Sequence, residues 1–412
     1  MPKRVTYRGV GLFVGGEQVD RATAFGTTGN INKEDIFELG NSDIAEVVDD
    51  INEVTATIDV NEIGSTKLLE RLSGKKLNQD GAITFSKDFE YASTDVWNYI
   101  APSGASGETA TDGEIYYTEF LSDCYLTSYN ADFSVDGNAT ESFSLVTDKK
   151  SWLLGNMSNI VKVGLSHDDV VDGKWKSLTV DEVLEDSLKS VYVNGKRVRE
   201  WGMADGGDKI AIQFDEGHHP ATDATVEVYI AANEGAKIFK TDEDASVKRR
   251  GHIEVHVVTE PTVNASGMIT DNLNDSKMVI RVQNASIDAS LGREDIAQLG
   301  NFHYYDRPLT LPIDVSVSLD VIFGDLDLFA KLVGEEIETA TELNIDEFQD
   351  NVGLVIKVKD KRDIDENPVT VKEYHVARLI PTDEAFNISL DGQATQTFSF
   401  RSHELAVVKK TA

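Results

Sequence analysis

Few residues in this chain sit in a pattern that does chemistry. Asp215–His219 reads DEGHH, two carboxylates and two imidazoles beside Pro220, a donor set able to ligate a metal ion. A polar surface turn explains the same residues more simply. Ser166–Asp169 reads SHDD, a hydroxyl, an imidazole and two carboxylates in a row, but no strained nucleophile turn accompanies it. Gly9–Gly16, GVGLFVGG, offers glycines of the kind that cradle phosphates, yet neither a Walker lysine nor a strand-to-helix context follows. It reads instead as a flexible N-terminal arm. Cys124, the single cysteine, excludes a disulfide framework and a multi-cysteine zinc site, and its alternation with apolar neighbours in SDCYL reads as a packed thiol. Pairs such as Asp49–Asp50 and Asp325/Asp327 are expected in a chain with 72 acidic residues and nominate no general acid and base. No catalytic residue, metal ligand or cofactor site follows from these motifs.

The elements that would carry any site are β-rich. The chain has 412 residues, 40% of them hydrophobic, enough for more than one core. Its net charge of −33 and pI near 4.5 oppose binding to a phosphate backbone. That charge suits a surface past which nucleic acid slides, or a protein kept soluble at high salt. MPKRVTYRGVGLFVGG lacks the apolar stretch of a signal peptide, and no run approaches ~18 apolar residues, so the reading is an aqueous compartment without a membrane span. The sequons beginning at Asn138, Asn156, Asn264, Asn274, Asn284 and Asn387 are not expected to carry glycans.

Four blocks recur in order. KEDIFELGN at Lys33–Asn41 returns as REDIAQLGN at Arg293–Asn301, offset 260 (293 − 33). VTATIDV at Val54–Val60 returns as VSVSLDV at Val315–Val321, offset 261 (315 − 54). STKLLERLSG at Ser65–Gly74 returns as DLDLFAKLVG at Asp325–Gly334, and FSVDGNATESFSL at Phe133–Leu145 as ISLDGQATQTFSF at Ile388–Phe400, offsets 260 and 255. Such order implies two copies of one fold. The expected organisation is a first copy at 1–152, an inserted β-rich decorating domain at 153–250 and a second copy at 251–412.

Within the blocks, period-two alternation predicts strands with one packed and one wet face, the wet residues being Thr55, Thr57 and Asp59 in one copy and Ser316, Ser318 and Asp320 in the other. Leu68, Leu69 and Leu72 predict a short helix, capped by Ser65 or Asp325 and ended at Gly74 or Gly334. Asp136-Gly137 and Asp391-Gly392 predict hairpins, after which Phe143, Leu145, Phe398 and Phe400 face the core. In the insert, Asn194-Gly195 predicts a hairpin turn, Ala224–Ala232 a strand and TVDEVLEDSLKS a helix. Polar stretches Ala101–Gly113 and Gly334–Phe348 sit at equivalent places and read as contact arms.

A β-rich body with the helix STKLLERLSG, the strand VTATIDV before it and the closing hairpin SVDGNATESFSL resembles the tail tube proteins of long-tailed bacteriophages and archaeal tailed viruses. The resemblance covers both copies and leaves out the insert. It implies a mainly β fold: two tail-tube-like β-sandwich domains, each with one flanking helix, plus a small inserted β-domain. It further implies rings stacked into a hollow virion tube assembled in the host cytoplasm. Tape measure, tail terminator and baseplate proteins would be its partners, and viral DNA would pass without sequence-specific binding. Family rings hold six tube domains, so a duplicated chain implies a homotrimeric ring with pseudo-sixfold symmetry, with Thr55, Thr57, Asp59, Ser316, Ser318 and Asp320 as lumen candidates. Alternatives are a distal tail or baseplate hub ring of the same fold, a β-rich carbohydrate-active enzyme, which would need an acid and base at a cleft, and a surface-layer protein.

Overall fold

The computed structural model describes residues 10–37, 44–61, 63–100, 117–154, 159–167, 174–181, 187–204, 209–232, 247–271, 282–322, 326–334, 342–361, 368–388 and 394–410. The fold is mainly β. The first part holds β1 (Val10–Val14), β2 (Glu17–Gln18), β3 (Ala22–Asn30), β4 (Lys33–Phe37), β5 (Ile44–Asp49) and β6 (Glu53–Val60). Then come α1 (Lys67–Ser73), β7 (Ala82–Thr84), α2 (Phe85–Asp88), β8 (Thr94–Ile100), β9 (Tyr117–Ser134), β10 (Thr140–Thr147) and β11 (Lys149–Leu154). The middle holds β12 (Asn159–His167), β13 (Lys174–Asp181), β14 (Leu188–Val193), β15 (Lys196–Val198), β16 (Trp201–Met203), β17 (Lys209–Phe214) and β18 (Val226–Ala232). The last part holds β19 (Ile253–Thr259), β20 (Val282–Ser290), β21 (Asp314–Ile322), α3 (Asp327–Val333), β22 (Val352–Lys359), β23 (Thr370–Asn387), β24 (Thr395–Ser402) and β25 (Glu404–Lys409).

Eight strands line up in one inner sheet, in the order β23-β24-β21-β20-β9-β10-β6-β3, four from each repeat. The halves join where β20 pairs antiparallel with β9. The 18-residue strands β9 and β23 run on from the inner sheet into two outer sheets, where β9 pairs β8 and β11, and β23 pairs β22 and β25. Each turns that corner at a residue of positive φ, Asp123 (60°) and Arg378 (52°), which stand at the repeat offset of 255 (378 − 123). Such a kink lets one strand serve two packed layers.

The main core lies between inner and outer sheets and draws on both repeats: Ile58, Leu145, Ile287, Leu319, Val96 and Val376 are all fully enclosed. Phe143, Leu145, Phe398 and Phe400 are buried as their alternation requires. Each such side chain stabilises by ~1.5–3 kcal/mol. At its centre Lys372 Nζ meets Glu141 Oε1 at 2.6 Å, the same oxygen accepts from Tyr374 Oη at 2.8 Å and from Tyr129 Oη, and Lys372 also donates to the Ser65 carbonyl at 3.1 Å. A buried charge without these partners would be untenable, so the cluster ties one repeat to the other.

α1 buries Leu69 and Leu72 and ends on Gly74 at φ 66°, and α3 ends on Gly334 at φ 81°. Ser65 Oγ accepts the Lys67 amide at 3.1 Å, while Thr66 turns its hydroxyl to Glu70. Asp325 and the Asp391-Gly392 turn lie outside the described residues, as does Ala101–Gly113. Between β9 and β10 the chain closes as a hairpin, but through five residues, 135–139, and not through a two-residue Asp136-Gly137 turn. The loop is held from outside, Val135 donating to the Gln283 carbonyl and Ala139 to that of Lys248.

Two further expectations are corrected. From residue 10 onward the GVGLFVGG stretch is no flexible arm, Gly9 lying outside the described residues: residues 10–14 form β1, which pairs with β8 and buries Leu12, Phe13 and Val14, and Gly15 and Gly16 make the positive-φ turn into β2. A Cβ on Gly16 would collide with the Tyr229 hydroxyl. In TVDEVLEDSLKS the first three residues continue β13 instead of starting a helix, with Asp181 paired to Lys209, and Leu188–Ser190 lie in β14. Residues 182–186 lie outside the described set. Neighbouring strands outweigh a weakly periodic helical pattern there.

The middle strands form their own seven-stranded sheet, β15-β14-β18-β12-β13-β17-β16, over a separate core around Trp175, Val191 and Val228. Asn194 and Gly195, at φ 52° and 84°, make the expected two-residue turn between β14 and β15.

Candidate functional site

One face of the inner sheet is polar across its central strands, with Ala24 and Gly26 beside it on the β3 edge and Ala385 on the β23 edge. Thr55, Thr57 and Asp59 alternate with buried Val54, Ala56, Ile58 and Val60 on β6, and Ser316, Ser318 and Asp320 alternate with buried Val315, Val317, Leu319 and Val321 on β21. The register makes these six residues parts of one surface. A single cross-strand row runs Asp59, Ser142, Asn130, Asp288, Ser316, Arg401. Another runs Asp132, Ser286, Ser318, Ser399, Asp383. Cross-strand partners share a face, so small hydroxyls, amides and carboxylates cover this side, with Arg401 the one cation in the two rows.

Asn130 Nδ2 donates to Asp288 Oδ1 at 2.6 Å across the β9–β20 join, and Thr397 Oγ1 to Asp320 Oδ1 at 2.6 Å. Burial and the neighbouring Asp288 carboxylate raise Asp132 above its ordinary pKa, against the hydrogen bond from Asn284. Ser142, Asn130, Asp132 and Asp288 were not among the sequence candidates. Their alternation is present in ESFSL, SYNADFS and NASIDAS, but the shared face depends on the pairing of β9 with β20, about 150 residues away (284 − 134).

The sheet ends in two bare edges among the described strands, β3 on one side and residues 380–387 of β23 on the other. Each has a counterpart that is paired. β3 corresponds to β20 at offset 260, down to the same irregularity opposite Val60 and Val321. The inner half of β23 corresponds to that of β9 at offset 255. β20 is covered by β9, while β3, its equivalent, is exposed along most of its length.

The repeated phrase shows the same contrast. In both copies it starts a hairpin of identical register, Lys33↔Asp49 and Ile36↔Glu46 in the first, Arg293↔Leu309 and Ile296↔Asp306 in the second. The second hairpin lies against the first copy: Leu291 donates its amide to the Thr127 carbonyl, Arg293 donates to the carbonyls of Leu126, Phe89 and Glu90, and the Tyr304 amide donates to Asp148. Burial draws the Arg293 pKa down to about 10, against the pull of Asp306. The first hairpin, β4–β5, pairs with no other described strand and exposes Phe37, Ile44 and Val47. Leu291 is 1% exposed and its counterpart Ile31 76%.

The seven-stranded sheet of the middle strands packs on the outer face of the sheet formed by β1, β8, β9 and β11. Phe13, Trp97, Tyr99 and Phe120 pack against Ile160, Tyr192, Tyr229 and Ala231. Tyr192 Oη donates to Asp95 Oδ2 at 3.0 Å, Arg197 bridges Asp95 and Asp123, and Arg199 bridges Asp123 and Asp306. Burial alone would raise the Asp123 pKa, but Arg197, Arg199 and Lys149 outweigh it and hold the carboxyl well below its usual range.

The chemical motifs find no common site. Asp215–His219 is an exposed turn after β17, and no group of three or more His, Cys, Asp or Glu among the described residues is disposed to hold a metal ion. His167 stacks edge-on against Trp175 at the end of β12, and Asp168 and Asp169 lie outside the described residues. Cys124 is buried, which pushes its thiol pKa up. No helix among the described residues is long and apolar enough to cross a membrane.

No protein-family model and no curated protein matches the chain. Among solved structures, a chain of the anti-feeding prophage baseplate, described as 6-fold symmetrised, aligns at TM-score 0.25 and 9% identity over 39% of this chain and 95% of its own. Hcp1 from Flavobacterium johnsoniae aligns at TM-score 0.22 and 15% identity over 36% of this chain and 98% of its own.

Proposed function

We propose that this chain is a structural tube protein of a tailed virus, three copies of which close a ring whose inner wall is the polar face, the rings stacking into a hollow virion tail through which DNA passes. The observation that carries the reading is the join within one chain: two repeats already share a continuous inner sheet through β20 and β9, while the equivalent edges, β3 and β23, are paired with no further strand among the described residues. Repeating the internal join between chains removes both edges, which would otherwise invite uncontrolled pairing. Three chains of eight inner strands make a barrel of 24 (3 × 8). The number three rests on the family resemblance of each repeat to a tube domain.

The inner wall is suited to passage because Asp59, Asp132, Asp288 and Asp320 repel phosphates, the hydroxyls and amides between them carry no charge, and Arg401 is the one cation in the two rows. The insert, clamped on the far face of an outer sheet, would decorate the outside. Tape measure, terminator and baseplate proteins remain the expected partners. A hub ring of the same fold would share the ring but not the stacking.

The internal join predicts the register of the external one. Asp288 opposite Asn130 becomes Thr28 (288 − 260) opposite Ala385 (130 + 255) of the neighbouring chain. The chain's one native thiol is buried, so the T28C/A385C variant offers a clean oxidative cross-link. Covalent trimers on denaturing gels support the reading; a variant that stays monomeric under oxidation at assembly concentrations refutes it.

A further inference from the structure

We infer that the first-copy hairpin, β4–β5, is a docking arm for a second copy of this chain, and that its seat on the neighbour is the second repeat's corner around Arg378, with Glu46 pairing to Arg378. This rests on the ring reading and names the residues that select the neighbour.

The second-copy hairpin lies across the first copy's corner, so its seat is known. There Asp306 Oδ1 accepts from Tyr125 Oη at 2.9 Å and pairs with Arg199 at 3.0 Å, and Arg199 in turn reaches Asp123 at 2.9 Å. An arm carboxylate thus sits near a body carboxylate, and the insert's Arg199 lies between them to make the approach tolerable.

At the empty seat the charges are rearranged. Glu46 takes the place of Asp306, fixed by the shared hairpin register and offset 260 (306 − 46). Arg378 takes the place of Asp123 at the same positive-φ corner. Around it the ion pair is inverted: Lys149–Asp123 at 2.9 Å becomes Glu404–Arg378 at 2.9 Å. His403 stands where Asp148 accepts the arm's Tyr304 amide (403 − 148 = 255). The arm itself stays acidic, with Glu34, Asp35, Glu46, Asp49 and Asp50 exposed. The corner residue that is a carboxylate in the first repeat is therefore a guanidinium in the second, held by the single surface pair with Glu404, and the arm left over is the acidic one.

That inversion does more than attract. An acidic arm carrying Glu46 meets Arg378 directly at the second repeat, whereas at the first repeat it would have to displace the resident hairpin. Each arm thereby has one seat, which sets the order first copy, second copy, first copy around the ring. The side chain of Arg378 is 69% exposed, so exchanging it gives up one surface ion pair, that with Glu404, and no core packing.

The test is charge exchange in the full-length protein: E46R, R378E and the E46R/R378E double variant, each alone and in the T28C/A385C background. Each single exchange should lower the yield of trimeric rings at least tenfold at low ionic strength, and the double should recover it to within about threefold of the parent. Glu46→Gln, which cannot misfold through a new charge, should give an intermediate loss. Singles that assemble like the parent, or a double no better than the worse single, overturn the docking assignment. If T28C/A385C cross-links to trimers and the exchanges have no effect, the arm assignment fails and the ring stands. If T28C/A385C forms no trimer, the ring reading itself fails.

Discussion

Ile31→Ser should uncouple assembly from folding. Ile31 is 76% exposed in the single chain, and its counterpart Leu291, already seated, is 1% exposed. Full burial of such a side chain stabilises by ~1.5–3 kcal/mol, so seating Ile31 contributes roughly three-quarters of that, ~1–2 kcal/mol, at each junction. Because ~1.4 kcal/mol is tenfold in an equilibrium constant, three junctions lose roughly a thousandfold in the trimer association constant. The concentration for half-assembly varies as the inverse square root of that constant and should rise about 30-fold. Sedimentation velocity across a dilution series reads this midpoint, while thermal melting of the unassembled chain should not move. Leu291→Ser, the same change at the occupied seat, should instead cost ~2–5 kcal/mol of chain stability. A midpoint for Ile31→Ser within twofold of the parent would refute the claim that this residue is buried on assembly.

Three other outcomes follow from the same structure. Lys372→Met, which strands Glu141 in the core, should destabilise by ~3–5 kcal/mol in denaturant titration, and adding Glu141→Leu should recover most of the loss; an additive double variant would contradict the pairing. The Asp123 pKa is depressed in the folded chain, so its contribution to holding the insert is present above the unfolded value of ~3.9 and is lost as pH falls from there toward the lower folded value. Trp fluorescence at the insert interface should therefore hold at pH 5 and change below about pH 4, and a transition centred at pH 6 would point elsewhere. Replacing Asp59 and Asp320 by lysine should leave assembly unchanged and make assembled rings retain short duplex DNA in a salt-sensitive manner; absence of retention at low salt would remove the lumen assignment.

Local features were legible because their causes are local. The alternation in VTATIDV and VSVSLDV, the leucines and closing glycine of STKLLERLSG, and the Asn194-Gly195 turn each encode their own geometry within a few residues. The repeat blocks likewise located strands that the structure pairs in matching registers. What escaped depends on distant partners. Residues 10–14 become a buried strand only because β8 pairs with them and Tyr229 packs in the same cluster as Phe13, and Thr179–Asp181 extend a strand only because β17 lies alongside. The polar face needed the β9–β20 join to become continuous. The Arg197 and Arg199 clamp was visible only as an alternation of basic residues in KRVRE, with nothing to mark Asp95 and Asp123 as its partners. The clearest case is the repeated phrase: KEDIFELGN and REDIAQLGN encode the same hairpin, and only the fold shows one seated and the other exposed.

Electron microscopy of the purified protein shows directly whether three chains close a ring. The expected particles are rings of three chains, about 136 kDa from three times 45.3 kDa, with a sixfold-like outline and a central channel, stacking into hollow tubes at high concentration. Particles of one chain that never close, or filaments built without a channel, would contradict the ring reading.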